Sequence, residues 1–191
     1  CGDTLDQIFK NMEYWGMSPN DIKYCLFTHA HLDHAGGAHK LKKMGIQLIA
    51  IDETAAAISK GDERCCGYLY HKKFIPCKMN RVVKDGDEIN LLGVTIKVMH
   101  FPGHSMGCTA FGFRHEEKNI VVSGDIIGTL LAGDFGWDGS IDFNKPVYIE
   151  SLKRFAKVAM DMMLPGHGMI YFHKPQNRVE ESLNSALMQW R

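Results

Sequence analysis

The segment Thr28-His29-Ala30-His31-Leu32-Asp33-His34 sets four metal-capable side chains, His29, His31, Asp33 and His34, within six residues. A lone histidine is ordinarily a surface or hydrogen-bonded residue. Three imidazoles and a carboxylate crowded onto one turn have no packing rationale, because burying them unpaired is costly, whereas neutral imidazole and carboxylate are good ligands for zinc or iron. Three further segments end a short apolar run on a polar residue beside glycine: Phe101-Pro102-Gly103-His104-Ser105, Val121-Val122-Ser123-Gly124-Asp125 and Met163-Leu164-Pro165-Gly166-His167-Gly168. Each offers one more candidate ligand, His104, Asp125 and His167, where glycine lets the backbone turn sharply and the side chain approach an ion. His39, His71, His100, His115 and His173 fill no such slot and read as surface or hydrogen-bonded residues. His173 nevertheless follows the Gly166-His167-Gly168 loop closely enough to be expected at the cleft.

These residues need elements to hold them. The run Ile22-Lys23-Tyr24-Cys25-Leu26-Phe27-Thr28 predicts a strand buried on both sides that delivers the histidine cluster. Before it, Leu5, Ile8, Phe9 and Met12 recur at helical spacing behind Asp3 and Thr4 and predict a helix ending near Gly16. A helix over 36–44, a strand over 46–51 and a short helix over 54–59 follow. From Arg81 the period changes, with Val94, Ile96 and Val98 alternating and further strands at 109–113 and 120–123, which predicts a β-meander. Helical spacing returns with Ile149, Leu152, Phe155, Ala156 and Ala159, then comes the apolar run Met162-Met163-Leu164. A last helix carries Val179, Leu183, Leu187 and Trp190 on one face. Strands and helices alternating around an antiparallel middle predict an α/β chain with helices packed outside its sheets, one domain over 1–191. Two long loops stand out, 60–80 and 128–145; the second holds Leu130, Leu131, Phe135 and Trp137 between glycines and is expected to overhang the site as a lid.

The composition narrows the functional classes. With 191 residues, 22 Lys+Arg against 22 Asp+Glu and 45% hydrophobic residues, the chain is long and apolar enough for a buried core, which excludes disorder. A net charge of zero without a basic run lacks the electrostatic footprint of a nucleic-acid binder. No apolar run reaches the about 18 residues of a spanning helix and no secretory leader is visible, so neither membrane nor nucleic acid is an expected partner. A small-molecule substrate is. The six cysteines, Cys1, Cys25, Cys65, Cys66, Cys77 and Cys108, form no CxxC pair and read as free thiols of a cytoplasmic protein. Cys65, Cys66, His71 and Cys77 match no trusted zinc spacing.

Together, the HxHxDH cluster and the later His104, Asp125 and His167 resemble the metallo-β-lactamase-fold hydrolases, with the ligand types in the family's order over essentially the whole chain. The resemblance implies an αββα sandwich with the site at one edge of two sheets, the first N-terminal strands missing from this chain. It implies one metal held by His29, His31 and His104, a second held by Asp33, His34 and His167, and Asp125 bridging both. Two zinc ions are the expected cofactors, with iron or manganese as alternatives. Two cations sharing a water lower its pKa from about 15.7 toward neutrality and create hydroxide at working pH, and Asp33 is the expected proton shuttle.

A dinuclear hydrolase acting on a small ester, thioester or lactone is therefore the first expectation. A mononuclear iron enzyme like the persulfide dioxygenases stays an alternative, because three imidazoles also hold iron. So does a phosphodiesterase of the same superfamily, although no basic surface supports it. The single helix beyond His167 argues against the glyoxalase II branch. The loop aromatics Phe135 and Trp137, together with His173, are the expected substrate contacts, an apolar wall suited to an acyl or aryl group.

Overall fold

Helix α1 (Leu5–Tyr14) forms where the helical spacing predicts it, with Leu5 buried and Ile8 and Phe9 packed on the same core. The computed structural model describes residues 1–128 and 135–190, which fall into two compact units, Cys1–Val83 and Lys84–Arg191.

In the first unit, β1 (Tyr24–Leu26), β2 (Gln47–Ile51) and β3 (Arg81–Val83) make a parallel sheet in that order. Parallel neighbours cannot be joined by a tight hairpin, so the chain crosses over through helices. Helices α2 (Leu32–Ala35) and α3 (Ala38–Lys43) link β1 to β2, and α4 (Asp52–Lys60) links β2 towards β3. Leu48, Ala50 and Ile58 are fully buried in the core that these elements share. Two expectations are corrected here. Strand β1 is shorter than the run 22–28 and only half-buried, because it lies at the sheet edge with β2 as its one neighbour among the described residues. Arg81–Val83 does not open the meander but pairs in parallel with β2, Ile49 opposite Arg81 and Ile51 opposite Val83. Three residues are too few for alternation to disclose which sheet they join.

The second unit holds the predicted meander, β4 (Glu88–Leu91), β5 (Val94–His100), β6 (Thr109–His115) and β7 (Lys118–Gly124). Its hairpins turn on residue pairs with positive φ, Leu92-Gly93 and Glu116-Glu117, as tight antiparallel connections require. Helix α5 (Lys145–Phe155) then carries the chain to β8 (Met162–Pro165), which lies parallel to β7. The α5 start is fixed by Asn144, whose side chain accepts from the Val147 N–H at 3.2 Å, and by Pro146 in the first turn. Helix α6 (Pro175–Gln189) closes the unit, burying Val179 and Ala186 against Leu152, Phe155 and Met163. No helix among the described residues is long and apolar enough to cross a membrane.

Phe155 is fully buried with its ring centroid 5.1 Å from that of Phe101. Phe155→Ala should cost about 3–5 kcal/mol in a denaturant titration, the usual cost of truncating a buried aromatic, and Asn144→Ala about 1 kcal/mol through the lost cap.

Candidate metal centre

The first unit presents His29, His31, Asp33 and His34 beyond the carboxyl end of β1. Phe27 continues the strand by donating its N–H to the Ile49 carbonyl at 3.0 Å, after which the chain turns into α2. His29 is completely buried, and its Nδ1 lies 3.2 Å from the Thr28 hydroxyl, which leaves Nε2 as the nitrogen for a metal. Its ring centroid stands 4.5 Å from that of His31 and 4.2 Å from that of His34. Asp33 opens α2 beside His34, with Oδ2 3.2 Å from His34 Nε2. The Cys1 thiol donates to the His34 carbonyl at 3.2 Å. Burial, then the nearby Asp33 carboxylate, push the Tyr70 phenol up to about 12.

Strand direction organises the second unit. Since β5 and β7 are each antiparallel to β6, they point the same way, and β8 points with β7. The residues just past their ends, His104, Asp125 and His167, therefore share one edge of this sheet. Gly166 N–H donates to the Gly124 carbonyl at 2.8 Å, which levels the ends of β7 and β8. Asp125 Oδ2 then stands 3.7 Å from His104 Nε2 and 3.4 Å from His167 Nε2. A tetrahedral zinc with bonds of about 2.0–2.1 Å holds its donors about 3.3–3.4 Å apart. These separations exceed ordinary hydrogen-bond lengths and lie close to that spacing, so the donors of this unit fit a metal.

His104 is oriented from behind, because its Nδ1 donates to the Trp137 carbonyl at 2.6 Å, with Nε2 turned toward Asp125. The carbonyl is placed by a close approach at Gly136, where a Cβ would stand 2.4 Å from the Asp125 carbonyl oxygen and 3.2 Å from His104 Nδ1. Tyr148, buried on α5, holds that approach: its hydroxyl accepts from Gly136 N–H at 2.5 Å and donates to the Ile126 carbonyl at 2.6 Å. Sequence reasoning missed Tyr148. A tyrosine in a helical pattern reads as core, and only the fold brings its hydroxyl between the two loops.

The expected substrate residues separate in space. Trp137 is 43% exposed, with its ring centroid 6.5 Å from that of His104. Phe135 instead stacks edge-on against Trp190 at 4.6 Å and packs on the core of its unit. His173, expected at the cleft, does not sit beside His167. Tyr171 pairs antiparallel with Met163, so the chain runs back along β8 and His173 joins Glu117, Lys118 and Asp161 at the opposite end of the sheet. Leu130, Leu131 and Gly133 of the expected lid lie outside the described residues. His100 and His39 are hydrogen-bonded to carbonyls, His100 Nε2 to Met106 at 2.8 Å and His39 Nδ1 to Gly36 at 3.1 Å. All six cysteines are free thiols, and burial pushes Cys25 up to about 11 and Cys108 up to about 12.

Tyr148→Phe keeps the shape of the buried ring and removes both hydrogen bonds. It should lower zinc affinity by about 10- to 100-fold, as loss of an orienting partner does, with the folded circular-dichroism spectrum retained. A variant that binds zinc as tightly as the parent would assign the orientation of His104 to other contacts.

The family model of the metallo-beta-lactamase superfamily matches residues 1–167. The chain is 35% identical over 112 residues to a hydroxyacylglutathione hydrolase of Pseudomonas putida, covering 58% of this chain and 34% of that enzyme. It is 28% identical over 165 residues to the acyl-coenzyme A thioesterase MBLAC2 of Gallus gallus, covering 73% of this chain and 54% of that protein. The chain thus spans about a third to a half of the length of these two relatives. A hydroxyacylglutathione hydrolase stands among them although the single helix beyond His167 argued against that branch. BJP-1, a subclass B3 metallo-beta-lactamase of Bradyrhizobium japonicum, is similar in structure, with a TM-score of 0.74, 26% identity, and coverage of 97% of this chain and 77% of that one. The mixed sheets and helices described above are those of the metallo-beta-lactamase fold, and with the match over residues 1–167 the chain belongs to the metallo-beta-lactamase superfamily.

Proposed function

We propose that the chain is a metal-dependent hydrolase of small acyl compounds, with thioesters as the first class and simple esters and lactones beside them. The observation that carries this reading is the donor geometry around Asp125, a carboxylate set between His104 Nε2 and His167 Nε2 at the spacing of metal ligands. The two relatives support the choice of substrate class, since their names describe removal of an acyl group from glutathione and from coenzyme A.

By the family pattern, His29, His31 and His104 would hold one ion, Asp33, His34 and His167 a second, and Asp125 would serve both, with zinc as the expected metal. When bound, such ions supply a hydroxide nucleophile near neutral pH and polarise the carbonyl under attack. Asp33 takes the proton of the attacking water on a carboxylate oxygen and returns it to the leaving sulfur or oxygen. The Trp137 carbonyl keeps His104 in the tautomer whose Nε2 is a donor to metal. The exposed Trp137 ring offers an apolar surface to an acyl group. The six free thiols suit a reducing, cytoplasmic compartment.

Elemental analysis after zinc reconstitution should find two ions per chain. Acyl thioesters should be cleaved with a rate that rises with pH through an apparent pKa near neutrality, and chelation should abolish turnover. Asp33→Ala should lower kcat by at least about 100-fold, the scale of general acid–base catalysis, while leaving the melting temperature of the metal-free protein nearly unchanged. A single bound iron with sulfite formed from a persulfide, and no turnover of thioesters, lactones or phosphodiesters, would overturn the hydrolase reading in favour of a dioxygenase.

A further inference from the structure

Helix α6 buries more than an apolar face. Arg178, in its first turn and next to the core residue Val179, is only 2% exposed. A guanidinium keeps its charge at every physiological pH, and taking it out of water is so costly that an apolar side chain of similar volume often serves stability as well or better. The burial of an arginine therefore directs attention to what it touches. Its Nη2 donates to the Gly128 carbonyl at 2.6 Å, while Nη1 lies 3.6 Å from a carboxylate oxygen of Glu181, which stands exposed one turn further on. The short contact thus falls on a backbone carbonyl three residues beyond Asp125.

Three hydrogen bonds from three elements hold the segment 124–128 at every second carbonyl. Gly124, in left-handed backbone with φ of 54°, accepts from the Gly166 N–H past the end of β8 at 2.8 Å. Ile126 accepts from the Tyr148 hydroxyl of α5 at 2.6 Å. Gly128 accepts from Arg178 of α6. Between these points the side chains of Ile126 and Ile127 are wholly buried, so the segment cannot slide or turn at the sheet end without breaking a bond or exposing an isoleucine. Asp125 is set within this frame, with Oδ2 facing His104 Nε2 and His167 Nε2. A charged donor makes a hydrogen bond roughly twice as strong as a neutral one, which suits the guanidinium to the outermost of the three points.

We propose that Arg178 is a positioning residue for Asp125: its buried guanidinium clamps the far end of the segment 124–128 and so holds the carboxylate at metal-ligand distance from His104 and His167. This rests on the ligand role proposed above for Asp125. Arg178 acts through the backbone, and the cost of burying its charge is borne for the placement of one carboxylate rather than for the fold. The consequence separates it from an ordinary core residue, because an apolar replacement should keep or raise thermal stability while loosening the site.

Arg178→Met, similar in length and uncharged, tests this on the metal-free protein and on zinc. In the metal-free protein, amide hydrogen exchange read by mass spectrometry should speed up by about tenfold in the peptide covering 124–128, the equivalent of one charge-assisted hydrogen bond, and stay unchanged in β6 and α5. The melting temperature should be retained or raised. Zinc affinity, read by competition with a chromophoric chelator, should fall by about 10-fold, with kcat lowered more than KM is changed. Arg178→Lys keeps one charged donor and should stand between the parent and Arg178→Met on exchange and on zinc affinity. Faster exchange throughout with a lowered melting temperature, up to failure to fold, would make Arg178 a residue of the core and overturn the proposal. So would an unchanged zinc affinity in Arg178→Met, or a lysine variant as loose at 124–128 as the methionine one. Should the wild-type protein bind no zinc, the ligand reading of Asp125 fails, and exchange at 124–128 alone decides for or against the clamp.

Discussion

Burying an imidazole or a carboxylate is costly unless its polar atoms are paired, and that cost shapes both units of this protein. His29 and His104 are almost wholly removed from water. Each is engaged at Nδ1, by the Thr28 hydroxyl and by the Trp137 carbonyl, which leaves Nε2 for the function. The backbone bends to supply these partners. Gly136 passes so close to Asp125 and His104 that no side chain fits, and the hydroxyl of Tyr148 takes up its buried N–H.

Strand polarity does the rest in the second unit. Antiparallel pairing of β5, β6 and β7 and parallel pairing of β7 with β8 put three strand ends on one edge, each followed by one ligand type. Side chains at such ends escape the hydrogen-bonded ladder and the core alike, so they are free to serve chemistry while the sheet holds them rigid. In the first unit the same role falls to the turn after β1, where α2 converts a close run of sequence into a cluster of rings with centroids 4.2–4.5 Å apart.

Support for a candidate ligand comes from a place that local pattern does not reveal. Tyr148 sits on a helix with the spacing of a core residue, yet its hydroxyl holds the loop beside His104. Phe135 and His173 show the converse. Nearness in sequence to Asp125 and His167 suggested the cleft, but Phe135 packs on Trp190, and the antiparallel bridge of Tyr171 with Met163 carries His173 away.

The sequence by itself singled out the candidate donor set and most of the elements. His29, His31, Asp33 and His34 are legible because so dense a group of metal-capable side chains has no packing purpose, α1, β5 and α6 because burial of one face imposes a period on the residues, and β2 and β7 because they are short apolar runs. The tertiary structure alone decided what depends on contacts remote along the chain. It placed Arg81–Val83 in the first sheet, since three residues carry no period that names a partner strand. It set which ring nitrogen of His104 is engaged, through a carbonyl of residue 137. Periodicity records how each residue meets the core, whereas hydrogen-bond partners far apart in the chain follow only from how the segments cross.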